Sequence, residues 1–166
     1  NFGEWLRSLY EKYIAAAPKY ILLTIFFLWI LIEAVIAFPY YLSYYNELAG
    51  GPMNGHRYIV DSNYDWGQDL KRLKDFTDEA GLDKINLDYF GGGSPKYYLG
   101  EKFKSWESAK GAPVQGEWLA VSATILNGAQ AEPAKRFIRN PQDSYQWLKN
   151  KKPIARAGTS IFIYKF

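Results

Sequence analysis

A chain of 166 residues has room for one modest globular domain. Its net charge of +3 comes from basic residues scattered among acids, which excludes the concentrated stripe that nucleic acid requires. The absence of cysteine and the single histidine, His56, leave no zinc set and no disulfide framework, and His56 reads as a loop residue rather than a catalytic base.

In chain order, "EWLRSLYEKYIAAAPK" places Trp5, Leu6, Leu9, Tyr10 and Tyr13 on one helical stripe, with Arg7, Glu11 and Lys12 elsewhere. Residues 1–19 are therefore expected to form an amphipathic segment at a membrane surface. Residues 20–38, "YILLTIFFLWILIEAVIAF", contain one ionisable side chain, Glu33, and no Gly or Pro. As a helix this run covers roughly 28 Å, close to the hydrocarbon thickness of a bilayer, so it reads as a transmembrane helix. Glu33 is costly inside a bilayer and is expected to contact another transmembrane helix, of the same protein or of a larger membrane complex. Residues 39–56, with Tyr40, Tyr41, Tyr44 and Tyr45, read as an interfacial aromatic connector. Arg7, Lys12 and Lys19 precede the span and no Lys or Arg follows it until Arg57. That asymmetry places the C-terminal part of the chain outside the cytoplasm, anchored in the cell (inner) membrane.

Residues 57–166 alternate strand and helix signals. "RYIVD" (57–61) reads as a strand and 67–81 as an amphipathic helix ending at Gly81. "KINLDYF" (84–90) reads as a strand broken by "GGGSP", and "SPKYYLG" as a helical turn. Residues 100–116 read as a long loop, 117–126 as a strand, 143–151 as a short helix and 159–166 as a final strand. The alternation predicts an α/β extracytoplasmic domain with a mainly parallel sheet. In such a sheet "DSNYDWG", "FGGGSP" and "SATILNG" would share the carboxyl edge, where open α/β folds place their crevices.

The first of these loops carries the candidate site: Asp61, Asn63, Asp65, Trp66, Gln68 and Asp69. Asp61, Asn63 and Asp65 have the spacing that opens a calcium loop, but Trp66 stands where the loop needs Gly and Arg72 where it needs Glu. No metal and no cofactor is assigned. "GGGSP" is not a dinucleotide fingerprint. Two readings of the cluster stand. In one, Asp65 caps a helix starting near Gly67 and Asp69 favours the positive end of its dipole. In the other, an indole beside carboxylates and amides forms a ligand-binding or contact surface, of the kind that holds a sugar.

"FPYYLSYYNELAGGPMNGHRYIVDSNYDWGQDLKRLKDF", "INLDYFGGGSPKYYLG", "GEWLAVSATILNG" and "AGTSIFIYKF" resemble the C-terminal end of lipid-carrier-dependent glycosyltransferases, membrane proteins similar to protein O-mannosyltransferases and to the aminoarabinose transferase of lipid A. The resemblance covers about residues 38–166. It implies a multi-span enzyme of GT-C architecture that moves a sugar from a polyprenyl-phosphate donor outside the cytoplasm. In that family the acidic catalytic residue lies in the first external loop, for which these residues have no counterpart, so no catalytic residue is assigned. The expectation is a C-terminal portion, last span plus external domain, that supplies scaffold or substrate recognition. The alternative is a single-span accessory subunit of a larger membrane complex.

Overall fold

The computed structural model describes residues 1–15, 17–132 and 144–166. They form two compact units, Asn1–Pro39 and Tyr40–Phe166. In the first, α1 (Phe2–Leu9) leads into a π-helical turn (Tyr10–Ile14), and α2 runs from Ala17 to Ala37. The most apolar 18-residue window of this unit has a mean hydropathy of 2.5, and 6% of it is buried. This helix is long and apolar enough to cross a membrane, and its exposure is unlike that of a soluble core helix. Glu33 lies near the C-terminal end of α2 and is partly buried.

The second unit is a mixed α/β domain. Its strands are β1 (Ile85–Asp88), β2 (Phe103–Ser105), β3 (Trp118–Ser122), β4 (Ala155–Ala157) and β5 (Ile161–Lys165), in the order β2-β1-β3-β5-β4. β1 pairs in parallel with β2 and β3, whereas β5 pairs antiparallel with both β3 and β4. The sheet is thus mixed rather than mainly parallel. The reason is the β4–β5 hairpin, whose second strand, β5, runs beside β3 in the opposite sense and leaves β4 at the edge.

Side chains alternate across the sheet with the period of two that strands impose. On one face Ile85, Leu87, Ala120, Ile161 and Ile163 pack with Leu70 and Leu73 of α3 (Leu70–Glu79) and Leu99 of α4 (Pro95–Leu99). On the other, Leu119, Val121, Phe162 and Tyr164 pack with Leu126 of α5 (Ala123–Gln130), Tyr64, Tyr145 and Leu148. α3 ends at Gly81, in the left-handed region at φ 61°, with the Leu82 N–H donating to Thr77 O at 2.9 Å. Ser94 caps α4 by accepting from Tyr97 N at 3.3 Å, with Pro95 in the first turn.

Several segments depart from the expected elements. Residues 57–61 form no strand. Gly55–Arg57 and Asp61–Asn63 are 3-10 turns, Tyr58 stacks on Tyr45 (6.4 Å), and Asp61 has a positive φ of 57°, which ends any extended run. The expected strand over 117–126 divides at Ser122, where β3 becomes α5. The loop over 100–116 contains β2 as the sheet's edge. The helix expected over 143–151 is a 3-10 turn, Gln146–Leu148, and Asp143 lies outside the described residues. Of the segment 39–56, read as an interfacial connector, residues 40–56 belong to the globular unit, where Ser43 and Gly55 are buried.

The turn of the β4–β5 hairpin closes over a buried carboxylate. The Thr159 and Ser160 N–H groups and the Ser160 hydroxyl each donate to Asp69 Oδ2 at 2.9 Å. Gly158, at φ 59°, brings the turn so close that a Cβ there would stand 2.1 Å from Asp69 Oδ1. Gly81 has nearly the same backbone but open space around it. We expect Gly81→Ala to cost about 1–2 kcal/mol, the strain of left-handed backbone alone. Gly158→Ala should cost at least about 1 kcal/mol more, because the turn must also move off Asp69. Urea midpoints of the two variants measure the difference; equal losses would show that the turn does not depend on this close packing.

Candidate functional site

The three loops expected at the carboxyl edge do converge there, although only two follow strands. Residues 90–93 leave β1, residues 123–124 leave β3 at Ser122, and residues 61–67 arrive from a turn-rich segment. Tyr89 Oη donates to Gly67 O at 2.8 Å, Phe90 N to Ser122 Oγ at 3.0 Å, and Asp61 N to Thr124 Oγ1 at 2.9 Å. Gly67 and Gly91, both at positive φ, pass so closely that a Cβ on Gly91 would lie 2.6 Å from Gly67 Cα. Between the loops lies a cleft of about 450 Å³, with Asp61, Ser62, Asp65 and Trp66 on one side and Tyr89, Phe90, Gly91 and Gly92 on the other.

The six candidate residues divide by environment. Asp65 and Asp69 are fully buried, whereas Asp61, Asn63 and Trp66 are exposed, Trp66 at 57%. Asp69 occupies the N-cap position of α3 but its side chain makes no cap bond. It serves the hairpin turn instead, and its Oδ1 accepts from Arg72 Nη1 at 2.6 Å. Gln68 is spent internally: its Oε1 accepts from Trp66 N at 2.8 Å, and its Nε2 donates to Ser43 Oγ (2.9 Å) and Tyr64 O (3.2 Å). Ser43 Oγ lies 2.7 Å from Thr159 Oγ1, so the network closes on the hairpin. Tyr64, whose hydroxyl lies 2.8 Å from Pro52 O and 3.0 Å from Thr159 O, is pushed up to about 12 by burial.

Asp65 does not cap α3, which starts at Leu70 rather than near Gly67. Its Oδ1 accepts from Gly67 N at 3.0 Å and its Oδ2 from Thr124 N at 3.2 Å, in the first turn of α5. Burial raises its carboxyl above the usual range, and the N–H donors of Gly67 and Thr124 oppose that rise. The carboxylate therefore ties two loops together. The partners Thr124, Thr159, Ser160 and Ser43 had no local signal in the chain; hydroxyl residues in apolar runs are equally common as plain turn or strand positions.

His56 lies apart, beside a second surface cavity of about 460 Å³ with Arg57 and Asn127. Its ring packs edge-on against Phe162 at 5.0 Å, Arg156 Nη2 lies 3.3 Å from its Nε2, and its Nδ1 is buried without a hydrogen-bond partner. Burial, with Arg156 and Arg57 adding to it, lowers its pKa to about 4. The ring is neutral at pH 7 and serves packing. Among the described residues no group of three His, Cys, Asp or Glu could hold a metal ion.

Two outcomes follow. Asp65→Ser should remain destabilised by about 1–3 kcal/mol, because a serine oxygen cannot reach two separated N–H groups and leaves one buried donor unpaired. Recovery of wild-type stability in urea would restore simple capping. For His56, the unfolded chain binds a proton below pH 6.5 that the folded chain takes up only near pH 4. Its contribution to stability is therefore complete above pH 6.5 and is lost as pH falls toward 4, by about 1–2 kcal/mol after solvent screening. The wild type should lose that increment between pH 6.5 and 4 relative to His56→Asn; parallel stability curves would refute it.

Compared with known proteins, the chain matches no family model, no curated protein and no solved structure.

Proposed function

We propose that the chain is the C-terminal, membrane-anchored portion of a glycosyltransferase that uses a polyprenyl-phosphate-linked sugar, and that residues 40–166 give scaffold or substrate recognition rather than catalysis. One observation carries the non-catalytic part. Asp65 and Asp69, the acids at the centre of the loop cluster, are fully buried and hydrogen-bonded on both oxygens. A general base or nucleophile must reach a substrate atom, and neither carboxylate can without dismantling the turn it holds.

Supporting the anchoring, α2 has the length and apolarity of a span. The excess of Arg7, Lys12 and Lys19 before it supports an extracytoplasmic position for residues 40–166 in the inner membrane. The resemblance of residues 38–166 to the external end of the lipid-carrier-dependent transferases supports the sugar-transfer context. Partners are then the bilayer, neighbouring transmembrane helices in contact near Glu33, and the lipid-linked saccharide.

The reading is tested in two steps. Protease added outside intact spheroplasts should degrade residues 60–166, and protection until lysis would reverse the orientation. The purified chain with polyprenyl-phosphate sugars and lipid or peptide acceptors should yield no product, whereas its intact mass from native membranes should far exceed 19.1 kDa. A native mass near that value would favour the single-span accessory subunit. Turnover lost in Asp65→Asn or Asp69→Asn would overturn the non-catalytic role.

A further inference from the structure

Three surface cavities lined by described residues differ in chemistry. The one beside His56 presents Arg57 next to Ile59 and Val60. The one at Lys84 and Trp118 carries charges of both signs, Asp83 and Lys84 beside a pair in which Lys104 Nζ lies 3.1 Å from Glu117 Oε1, and its indole is only partly exposed. Of the three, the cleft between residues 61–66 and 89–92 has the most exposed indole, Trp66 at 57%, beside the exposed Asp61 and the glycines 91 and 92, with no Lys or Arg in its lining. We propose that this cleft is a saccharide-binding site, taking a pyranose that carries no anionic group against Trp66, with Asp61 accepting hydrogen bonds from its hydroxyls. The inference rests on the recognition part of the preceding reading and names its ligand class; the scaffold part stands without it.

Size and polarity agree. A volume of about 450 Å³ falls within the roughly 300–1,000 Å³ of small-molecule pockets, which pair an apolar wall with a few placed polar groups. The π face of an indole is electronegative and apolar, and it complements the C–H face of a pyranose. An ionised carboxylate offers only acceptors, which suits hydroxyl donors arranged around the ring. Charge sets the selectivity. Asp61 is the exposed acid of the cleft and no Lys or Arg lines it, so a phosphate, sulfate or uronate meets a carboxylate with no cation to offset it. The site therefore faces the sugar of a lipid-linked or polymeric glycan and excludes its phosphate.

The walls are set before any ligand arrives. Gln68 holds the Trp66 backbone, Tyr89 locks Gly67, and Thr124 holds the Asp61 backbone. Binding then loses little to ordering of the loops. Gly92 gives an independent handle. Gly92 lines the cleft, a Cβ there meets nothing within 4 Å and its φ is not in the left-handed region, so a larger side chain at the rim can narrow the cleft without straining the turn.

The experiment uses the full chain in detergent micelles, with tryptophan indoles labelled by nitrogen-15 and the Trp66 resonance assigned by its loss in Trp66→Phe. Probes are the methyl glycosides of mannose, glucose, galactose and N-acetylglucosamine, with glucuronic acid and mannose 1-phosphate as anionic counterparts. At least one neutral glycoside should shift the Trp66 resonance saturably, and the anionic probes should not. Binding, followed by ligand saturation transfer, should weaken at least tenfold in Trp66→Ala and in Gly92→Leu, and measurably in Asp61→Asn, with unchanged melting temperatures. Asparagine tolerates the left-handed backbone at position 61, so that variant keeps the fold. No response to any neutral glycoside at tens of millimolar, full binding in Gly92→Leu, or equal binding of the anions would each overturn the proposal. None of these results alters native mass or protease topology, so the saccharide site and the membrane-anchored reading fail separately.

Discussion

The buried carboxylate of Asp69 is the constraint on which the globular unit turns. Two backbone N–H groups and a hydroxyl of residues 159–160 converge on one of its oxygens, and the Arg72 guanidinium takes the other. A charge removed from water at 0% exposure is tolerable only with this density of donors. The arrangement joins three stretches far apart in sequence. Asp69 begins α3, Thr159 and Ser160 form the β4–β5 turn, and Ser43 reaches Thr159 from the first residues of the unit. Arg72 extends the connection, its guanidinium 4.9 Å from the centre of the Tyr40 ring. The hairpin could not slide along β3 without stripping the carboxylate of its donors. That is how one side chain comes to set the register of the sheet's antiparallel half.

The same edge carries the cleft. Ala123 N donates to Ser160 O at 2.7 Å, so the hairpin turn lies beside the switch from β3 to α5. Asp65 then reaches that switch through Thr124. The order of support runs from the inside out: Asp69 places the turn, the turn and Asp65 place the start of α5, and Thr124 places Asp61. Exposed groups at the rim inherit rigidity from buried ones, as precise binding geometry requires.

Local periodicity carried the parts of this fold that depend on local physics. The apolar run of α2, the Leu70–Leu73–Thr77 stripe of α3 and the apolar β1 and β5 were readable because each buries a face set by its own repeat. Convergence of two of the three loops was readable from the parallel β1 and β3, whereas residues 61–67 reach the same edge without a strand before them. What failed was non-local. "RYIVD" has the β-branched and aromatic content of a strand, yet Tyr58 and Val60 pack by side chain against Tyr45 and the core around Tyr64. Five-residue runs do not distinguish that from a ladder. "AVSATIL" is apolar on both sides of Ser122, and only the extended backbone of Ser122 marks where strand becomes helix. Ala155–Ala157 carries no strand signal because its place is given by pairing with β5. Asp65 looked like a cap since the only donors visible in sequence are adjacent ones; its second donor lies 59 residues away.

The division among the acids of one short stretch has a physical logic. Asp65 and Asp69 would be poor contact residues, because each is bound to backbone N–H groups that have no other partner at hand, and a ligand competing for them would expose those donors. Asp61 and Trp66 are the reverse. Their backbone N–H groups are fixed, by Thr124 and Gln68, while the carboxylate and the indole remain in water. An indole 57% exposed adds little to the core it stands beside, and the left-handed backbone at Asp61 costs stability without filling space. Neither feature is explained by packing. Both are explained if the rim is held open for contact while the groups beneath it hold the rim.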